Sequence, residues 1–268
     1  MRLWSLGTGS RGNAILLEGG SSYLLIDAGF PLNLLETRLE EIGVAPSAIS
    51  DVVLTHEHHD HARGAAAGAS RWGWVIHATP GTIASAKELA CARPVDCREP
   101  LELDAFIIET VPTPHDAAEP VAIVATERQS GARAGVALDV GRLTTALRTS
   151  FARLDLVVLE ANHDEGMLAA GPYPPSVRYR IAGPRGHLSN RAAAALARDC
   201  VHFGLAHIVL AHLSERCNDR VLATEVVCAE LAHTRFRGRV SAVTQDHPAG
   251  PFAPEAARLP AHQLALGL

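Results

Sequence analysis

Short runs of apolar and β-branched residues, each stopping at a polar or glycine-containing loop, recur at 2–6, 13–18, 22–27, 51–55, 74–77, 105–111, 121–126, 134–139, 156–160, 206–211 and 239–243. Runs of that length bounded by turn residues predict strands. Helical spacing occupies 33–42, where Gly43 is placed to close the helix, and 190–200, where Asn190 is placed to cap an alanine-rich stretch. A third helix is predicted over 219–232. Strands come first in pairs and then alternate with helices. Two mixed sheets packed face to face with helices outside satisfy that order, an αββα sandwich of the α/β class. No repeat of roughly 20–50 residues and no linker divides the chain, so 1–268 is expected to form a single domain. The least regular stretch, Glu165 to Arg185, contains Gly-Pro-Tyr-Pro-Pro and several arginines and is predicted to be a surface loop or lid.

Composition narrows the setting. Of 268 residues, 47% are hydrophobic and 20% charged, enough apolar surface to support a packed core and exclude a disordered chain. Apolar runs such as Val52-Val53-Leu54 and Leu156-Val157-Val158-Leu159 fall far short of the roughly 18 residues that span a bilayer. No secretory pattern opens the sequence, and no membrane partner is expected. The five cysteines are odd in number and form no C-x-x-C pair, so a reducing, cytoplasmic location is expected rather than a disulfide framework. A net charge of -5 argues against coating nucleic acid through bulk charge and leaves only a local basic patch. Histidine is the residue that stands out, with 14 copies, several at the ends of predicted strands.

Thr55-His56-Glu57-His58-His59-Asp60-His61 directly follows the strand-like Asp51-Val52-Val53-Leu54. Within this short turn, H-x-H-x-D-H places three imidazoles and a carboxylate where alternate side chains face opposite sides of one cavity, and two metals can share such a loop. A dinuclear site needs further ligands, and other strand ends supply candidates: His115 after Thr110-Val111-Pro112-Thr113-Pro114, Asp139 after Ala134–Leu138, and His212 after Ile208–Ala211.

These residues resemble the metallo-β-lactamase superfamily, whose five motifs match in order at Asp27, the His56–His61 loop, His115, Asp139 and His212. More narrowly, Gly9-Ser10-Arg11-Gly12-Asn13, the segment Pro114–Pro120, Glu160-Ala161-Asn162-His163-Asp164 and Gly186-His187-Leu188-Ser189-Asn190 resemble the YycJ/VicX-like (WalJ) subfamily. The resemblance implies one metal on His56, His58 and His115, a second on Asp60, His61 and His212, and Asp139 bridging both. Zn²⁺ suits imidazole with carboxylate, and Mn²⁺ or Fe²⁺ would also fit. Asp27 takes the position of a buried carboxylate that orients a ligand from behind. His59 stands where relatives carry a smaller residue, and it is expected to reach outward to solvent or to hydrogen-bond a ligand rather than to ligate.

A hydroxide bridging two cations is the nucleophile this implies, with Asp60 orienting it. Gly186-His187-Leu188-Ser189-Asn190 also resembles the G-H-S/T segment of the tRNA 3′-processing RNase Z enzymes, in which the histidine is linked to proton donation and a strand-end Glu supports it. By that analogy His187 is the general acid and Glu160 raises its pKa. An acid matters for an alkoxide leaving group and little for a thiolate, which favours a phosphodiesterase. Arg178, Arg180 and Arg185 offer a basic rim for a phosphate backbone, with Asn190 and His163 as further candidate substrate contacts. The subfamily resemblance implies a nuclease, a DNA exonuclease, with DNA rather than RNA as substrate. A metal-dependent hydrolase of a small thioester or lactone, similar to glyoxalase II, is the alternative, and a non-catalytic scaffold with a structural metal is a further one.

Overall fold

In β11 (Leu156–Glu160), Leu156 and Val158 belong to one apolar cluster while Val157 and Leu159 belong to another. A strand buried on both faces reads as an unbroken apolar run, and its alternate side chains must enter different layers. The computed structural model describes residues 1–254, and positions 255–268 of the expected domain lie outside the described residues.

The remaining strands are β1 (Arg2–Gly7), β2 (Ala14–Gly19), β3 (Ser22–Ile26), β4 (Ile49–Val53), β5 (Val75–Ala78), β6 (Arg93–Pro94), β7 (Leu101–Glu102), β8 (Phe106–Pro112), β9 (Val121–Glu127), β10 (Arg133–Ala137), β12 (His207–Ala211), β13 (Arg239–Ala242) and β14 (Ala249–Phe252). They form two seven-stranded sheets, ordered β14-β1-β2-β3-β4-β5-β6 and β13-β12-β11-β10-β9-β8-β7. In the first sheet β14, β1, β2 and β3 are antiparallel, and β3 to β6 run parallel. The second repeats the arrangement, antiparallel from β7 to β10 and parallel from β10 to β13. Each sheet therefore contributes parallel strand ends to one edge of the sandwich, where open α/β sheets place their ligands.

Leu3, Ile15, Leu17, Leu24 and Ile26 from the first sheet meet Ile108, Ile123, Val136, Val158 and Val209 from the second in the central layer. The outer faces are covered by helices: α1 (Leu32–Glu41), α2 (His59–Ala62), α3 (Ala65–Trp72), α4 (Pro80–Ser85), α5 (Thr145–Ser150), α6 (Glu165–Ala170), α7 (Pro175–Ile181), α8 (Asn190–Asp199) and α9 (Arg220–Leu231). Leu35, Leu39 and Ala65 of α1 and α3 pack on the first sheet; Leu147, Ala193, Leu196, Ala223 and Val227 of α5, α8 and α9 pack on the second. This is the αββα sandwich.

Of three local expectations, one holds and two change. Gly43 does follow α1 with φ +75°, and its N–H and that of Val44 close the helix on Glu40 and Leu39. Ser189, not Asn190, caps α8, its hydroxyl accepting from Ala192 N, because Asn190 is already inside the first turn. The Glu165–Arg185 stretch is not a loop: it forms α6, capped by the Asp164 carboxylate accepting from Met167 N at 2.8 Å, and α7, with Pro175 at its first position. Among the described residues no helix is long and apolar enough to cross a membrane.

Candidate metal centre and catalytic site

Three residues at strand ends adopt a left-handed backbone without being glycine: Asp27 after β3 (φ +60°), Asp139 after β10 (φ +53°) and His212 after β12 (φ +53°). Each such conformation costs about 1–3 kcal/mol and persists only where the surroundings enforce it. All three turn their side chains into one buried cluster. Asp139 Oδ2 lies 3.0, 3.3 and 3.6 Å from Nε2 of His61, His56 and His115. Among the described residues three groups bring their donor atoms within 4.8 Å of one another: His56–His58–His115–Asp139 and Asp60–His61–Asp139–His212, which are the two expected ligand groups, and Asp139–Glu160–His187–His212 beside them.

One nitrogen of each imidazole is held by a neighbouring group. His61 Nδ1 lies 2.7 Å from Asp27 Oδ2, His56 Nδ1 3.0 Å from the Thr55 hydroxyl, His115 Nδ1 3.1 Å from Gly186 O, His58 Nε2 3.0 Å from Asp116 O, and His212 Nδ1 3.0 Å from Glu160 Oε1. Asp27 also accepts from the backbone N–H and hydroxyl of Thr55, so this carboxylate locks the turn that begins the histidine loop. Fixing one ring nitrogen presents the other to a cation. His56 Nε2 and His212 Nε2 are buried with no hydrogen-bond partner, an arrangement that is costly for a polar atom unless a cation completes it. The donor set of imidazoles and carboxylates fits a pair of divalent metals.

Charge follows from the same geometry. Burial and the neighbouring His61 push the His56 pKa down to about 4, so it keeps its lone pair at neutral pH. Burial also disfavours charge on His187, but the Glu160 carboxylate and hydrogen bonds to Asp139 and Glu160 outweigh it and raise this imidazole to about 9. Glu160, buried as well, is held down to about 2 by His187 and by hydrogen bonds to His187 and His212. The His187 Nδ1–Glu160 Oε1 distance is 2.7 Å, and Glu160 Oε2 accepts from Val140 N and Leu188 N.

A cavity of about 220 Å³ opens over these groups. His58, Asp60, His115, Asp139, His187 and His212 form its floor, with Ser10 on one side and Arg180, Ile181, Arg185 and Gly186 on the other. His187 is 22% exposed there, while Glu160 behind it is fully buried. The α7 helix is tied to this loop through His187 N donating to Ile181 O at 2.8 Å.

A family model for the metallo-beta-lactamase superfamily matches residues 7–116. Over those residues the chain is similar to the metallo-beta-lactamase superfamily. It is 28% identical over 237 residues to an exodeoxyribonuclease YycJ of Bacillus anthracis, covering 86% of this chain and 89% of that protein. Among solved structures, the metallo-beta-lactamase fold protein YhfI of Bacillus subtilis superposes with a TM-score of 0.68 at 17% identity, over 93% of this chain and 99% of that one. Human tRNase Z, short form, superposes with a TM-score of 0.63 at 16% identity, over 94% of this chain and all of that one (100%). These two likenesses concern the fold.

Of the expected site residues, His56, His58, Asp60, His61, His115, Asp139 and His212 converge, with Asp27, Glu160 and His187 around them. His59 is exposed and points away. The expected substrate contacts divide. Arg180 and Arg185 line the cavity, Arg185 Nε also donating to His115 O at 3.1 Å. Arg178 does not, because its guanidinium turns back to Ala169 O at the end of α6. Asn190 and His163 are corrected: both are 2% exposed. The Asn190 amide is committed to Asn218, and burial pushes the His163 pKa down. Neither lines the cavity.

The histidine pattern gave no sign of Thr55, Thr8 or Asn13, which hold ligand residues through buried hydrogen bonds. The glycine-rich run from Gly7 to Asn13, between two predicted strands, was the available signal: such a run lets a backbone approach another closely.

Proposed function

We propose that this enzyme is a dinuclear metal-dependent phosphodiesterase that hydrolyses nucleic acid, DNA rather than RNA, as an exonuclease. The observation that carries the reading is His187, backed by the buried Glu160, opening onto the cavity that residues of both ligand groups line. The similarity to the exodeoxyribonuclease of Bacillus anthracis supports the choice of DNA and of an exonuclease.

His56, His58 and His115 would hold one divalent cation and Asp60, His61 and His212 the other, with Asp139 shared. Zn²⁺ suits this donor set, and Mn²⁺ or Fe²⁺ is compatible with it. Cations bound there supply Lewis acidity and lower the pKa of water they hold. Asp60, whose carboxylate borders the cavity, orients the attacking water. His187, charged at neutral pH and held through Nδ1 by Glu160, keeps Nε2 for donating a proton to the departing sugar oxygen, the step in which an alkoxide gains most from an acid. Arg180 and Arg185 meet the phosphate backbone at the rim. Free cysteines at 91, 97, 200, 217 and 228 accord with a reducing cytoplasmic setting.

The test is purified, metal-loaded protein on end-labelled single- and double-stranded DNA and RNA, with Zn²⁺ and Mn²⁺ compared. Progressive shortening of DNA from one end, abolished by a chelator, is expected. Absence of hydrolysis on every nucleic acid, together with turnover of thioesters or lactones, would overturn the reading.

A further inference from the structure

The two ligand groups are held together in different ways. In the first, His58 and His115 are joined almost directly, since His58 Nε2 lies 3.0 Å from the carbonyl of Asp116, the residue next to His115. In the second, Asp60 and His61 follow β4 of one sheet while His212 follows β12 of the other.

A pair of buried side chains from the β1–β2 connection spans that separation. Asn13 is fully buried and its backbone N–H donates to Asp60 O at 2.8 Å. Its amide nitrogen donates to Gly9 O at 3.2 Å and Asp60 O at 3.3 Å, and lies 3.1 Å from His61 Nε2. The other end of the same amide, Oδ1, accepts from the Thr8 hydroxyl at 2.7 Å and from Gly9 N at 2.9 Å. Thr8 Oγ1 in turn accepts from the backbone N–H of His212 at 2.9 Å. An unbroken chain of hydrogen bonds thus runs from Asp60–His61 through Asn13 and Thr8 to His212. It touches none of His56, His58 and His115.

The outside of the connection is pinned as well. Gln245 accepts from Arg11 N at 2.8 Å and donates to Gly12 O at 2.8 Å, so Asn13 is held from both sides. Besides bracing its own loop at Gly9, the Asn13–Thr8 pair spends its side-chain hydrogen bonds on Asp60 O and His212 N, both in residues of the second group.

We propose that Thr8 and Asn13 are positioning residues that set the spacing of Asp60–His61 from His212 and thereby govern the affinity of that group for its cation, leaving the His56–His58–His115 group unaffected. The inference rests on the reading that both groups hold divalent cations.

Metal-stripped wild type, Asn13→Ala, Thr8→Val and Thr8→Ser are titrated with Zn²⁺ alone by calorimetry, with bound zinc counted by elemental analysis and folding checked by circular dichroism. Wild type and Thr8→Ser, which keeps the hydroxyl, are expected to bind two ions. Asn13→Ala and Thr8→Val should keep one site at wild-type affinity and weaken the other by about 10- to 100-fold, the usual effect of removing a group that orients a ligand. If Asn13→Ala does not fold, the near-isosteric Thr8→Val carries the comparison. Two sites of wild-type affinity in the folded variants, or equal weakening of both, would overturn the proposal. A wild type that binds fewer than two ions would instead overturn the reading of the site on which it rests.

Discussion

His187 and His212 share one carboxylate oxygen: Glu160 Oε1 lies 2.7 Å from His187 Nδ1 and 3.0 Å from His212 Nδ1. The proposed acid and a candidate ligand are therefore coupled through a single buried group, and their variants should behave differently. His187→Ala should slow cleavage of a natural nucleotide linkage by about 100-fold or more, the scale of a positioned acid. Hydrolysis of bis(p-nitrophenyl) phosphate, whose leaving group needs no proton, should fall much less, with metal content unchanged. Equal slowing of both substrates would make His187 a phosphate-positioning residue instead. Glu160→Gln is expected to reduce zinc affinity as well as rate, because His212 loses its anionic partner, and elemental analysis separates the two variants. Gly29 makes a comparable point about backbone. A β-carbon there would overlap the Asp60 carbonyl, and Gly29 N already donates to Asn13 O. Gly29→Ala should therefore destabilise the fold by about 1–3 kcal/mol in urea unfolding and lower zinc content, with Ala accommodated at neither cost being the contrary result.

At the scale of elements, most of the strands could be read from apolar runs because the interior strands are buried on both faces. The strands β6 and β7, two residues each, carry no periodicity, and β14 is hidden by Gly250-Pro251, which reads as a turn. The helices α6 and α7 were obscured by Gly-Pro-Tyr-Pro-Pro, although Asp164 and Pro175 are both helix-start residues. The candidate ligands were legible because they concentrate in one loop and at strand ends. The buried threonines and asparagine behind them were not, because a hydrogen bond between distant loops leaves no spacing in the sequence. The same α6–α7 hairpin separates arginines that the sequence treated as one group. Arg180→Ala and Arg185→Ala should each weaken DNA binding and flatten its salt dependence, each lost phosphate contact reducing the log–log slope by about 1. Arg178→Ala should leave that slope unchanged, since its guanidinium is spent on Ala169 O. Filter binding at several salt concentrations checks this, and an equal effect of all three would mean the hairpin opens to present Arg178 as well.

Across the whole molecule, two sheets of matching plan share a central apolar layer, and both ligand groups span them: His56, His58, Asp60 and His61 come from the first sheet, His115, Asp139 and His212 from the second. The layer of Leu3, Ile15, Leu24, Ile123, Val136 and Val158 needs no cation to form, so the chain should remain folded when stripped. Cations held by both groups would add a second fastening between the sheets at the edge where the strands end. An ion that binds only the folded state stabilises it by about 2.7 kcal/mol per site when present at a hundredfold excess over its dissociation constant. For a chain of this size that corresponds to a rise in Tm of about 5–10 °C per site. Scanning calorimetry with and without chelator should therefore show a lower Tm in the stripped protein, restored by added Zn²⁺, with the far-ultraviolet dichroism of the two forms alike. Asp139→Ala, which removes the residue common to both groups, should melt near the stripped wild type at every zinc concentration, whereas His58→Ala should retain part of the zinc-dependent rise. Identical melting of wild type with and without bound zinc would show that the edge is already rigid and that the cations contribute chemistry alone.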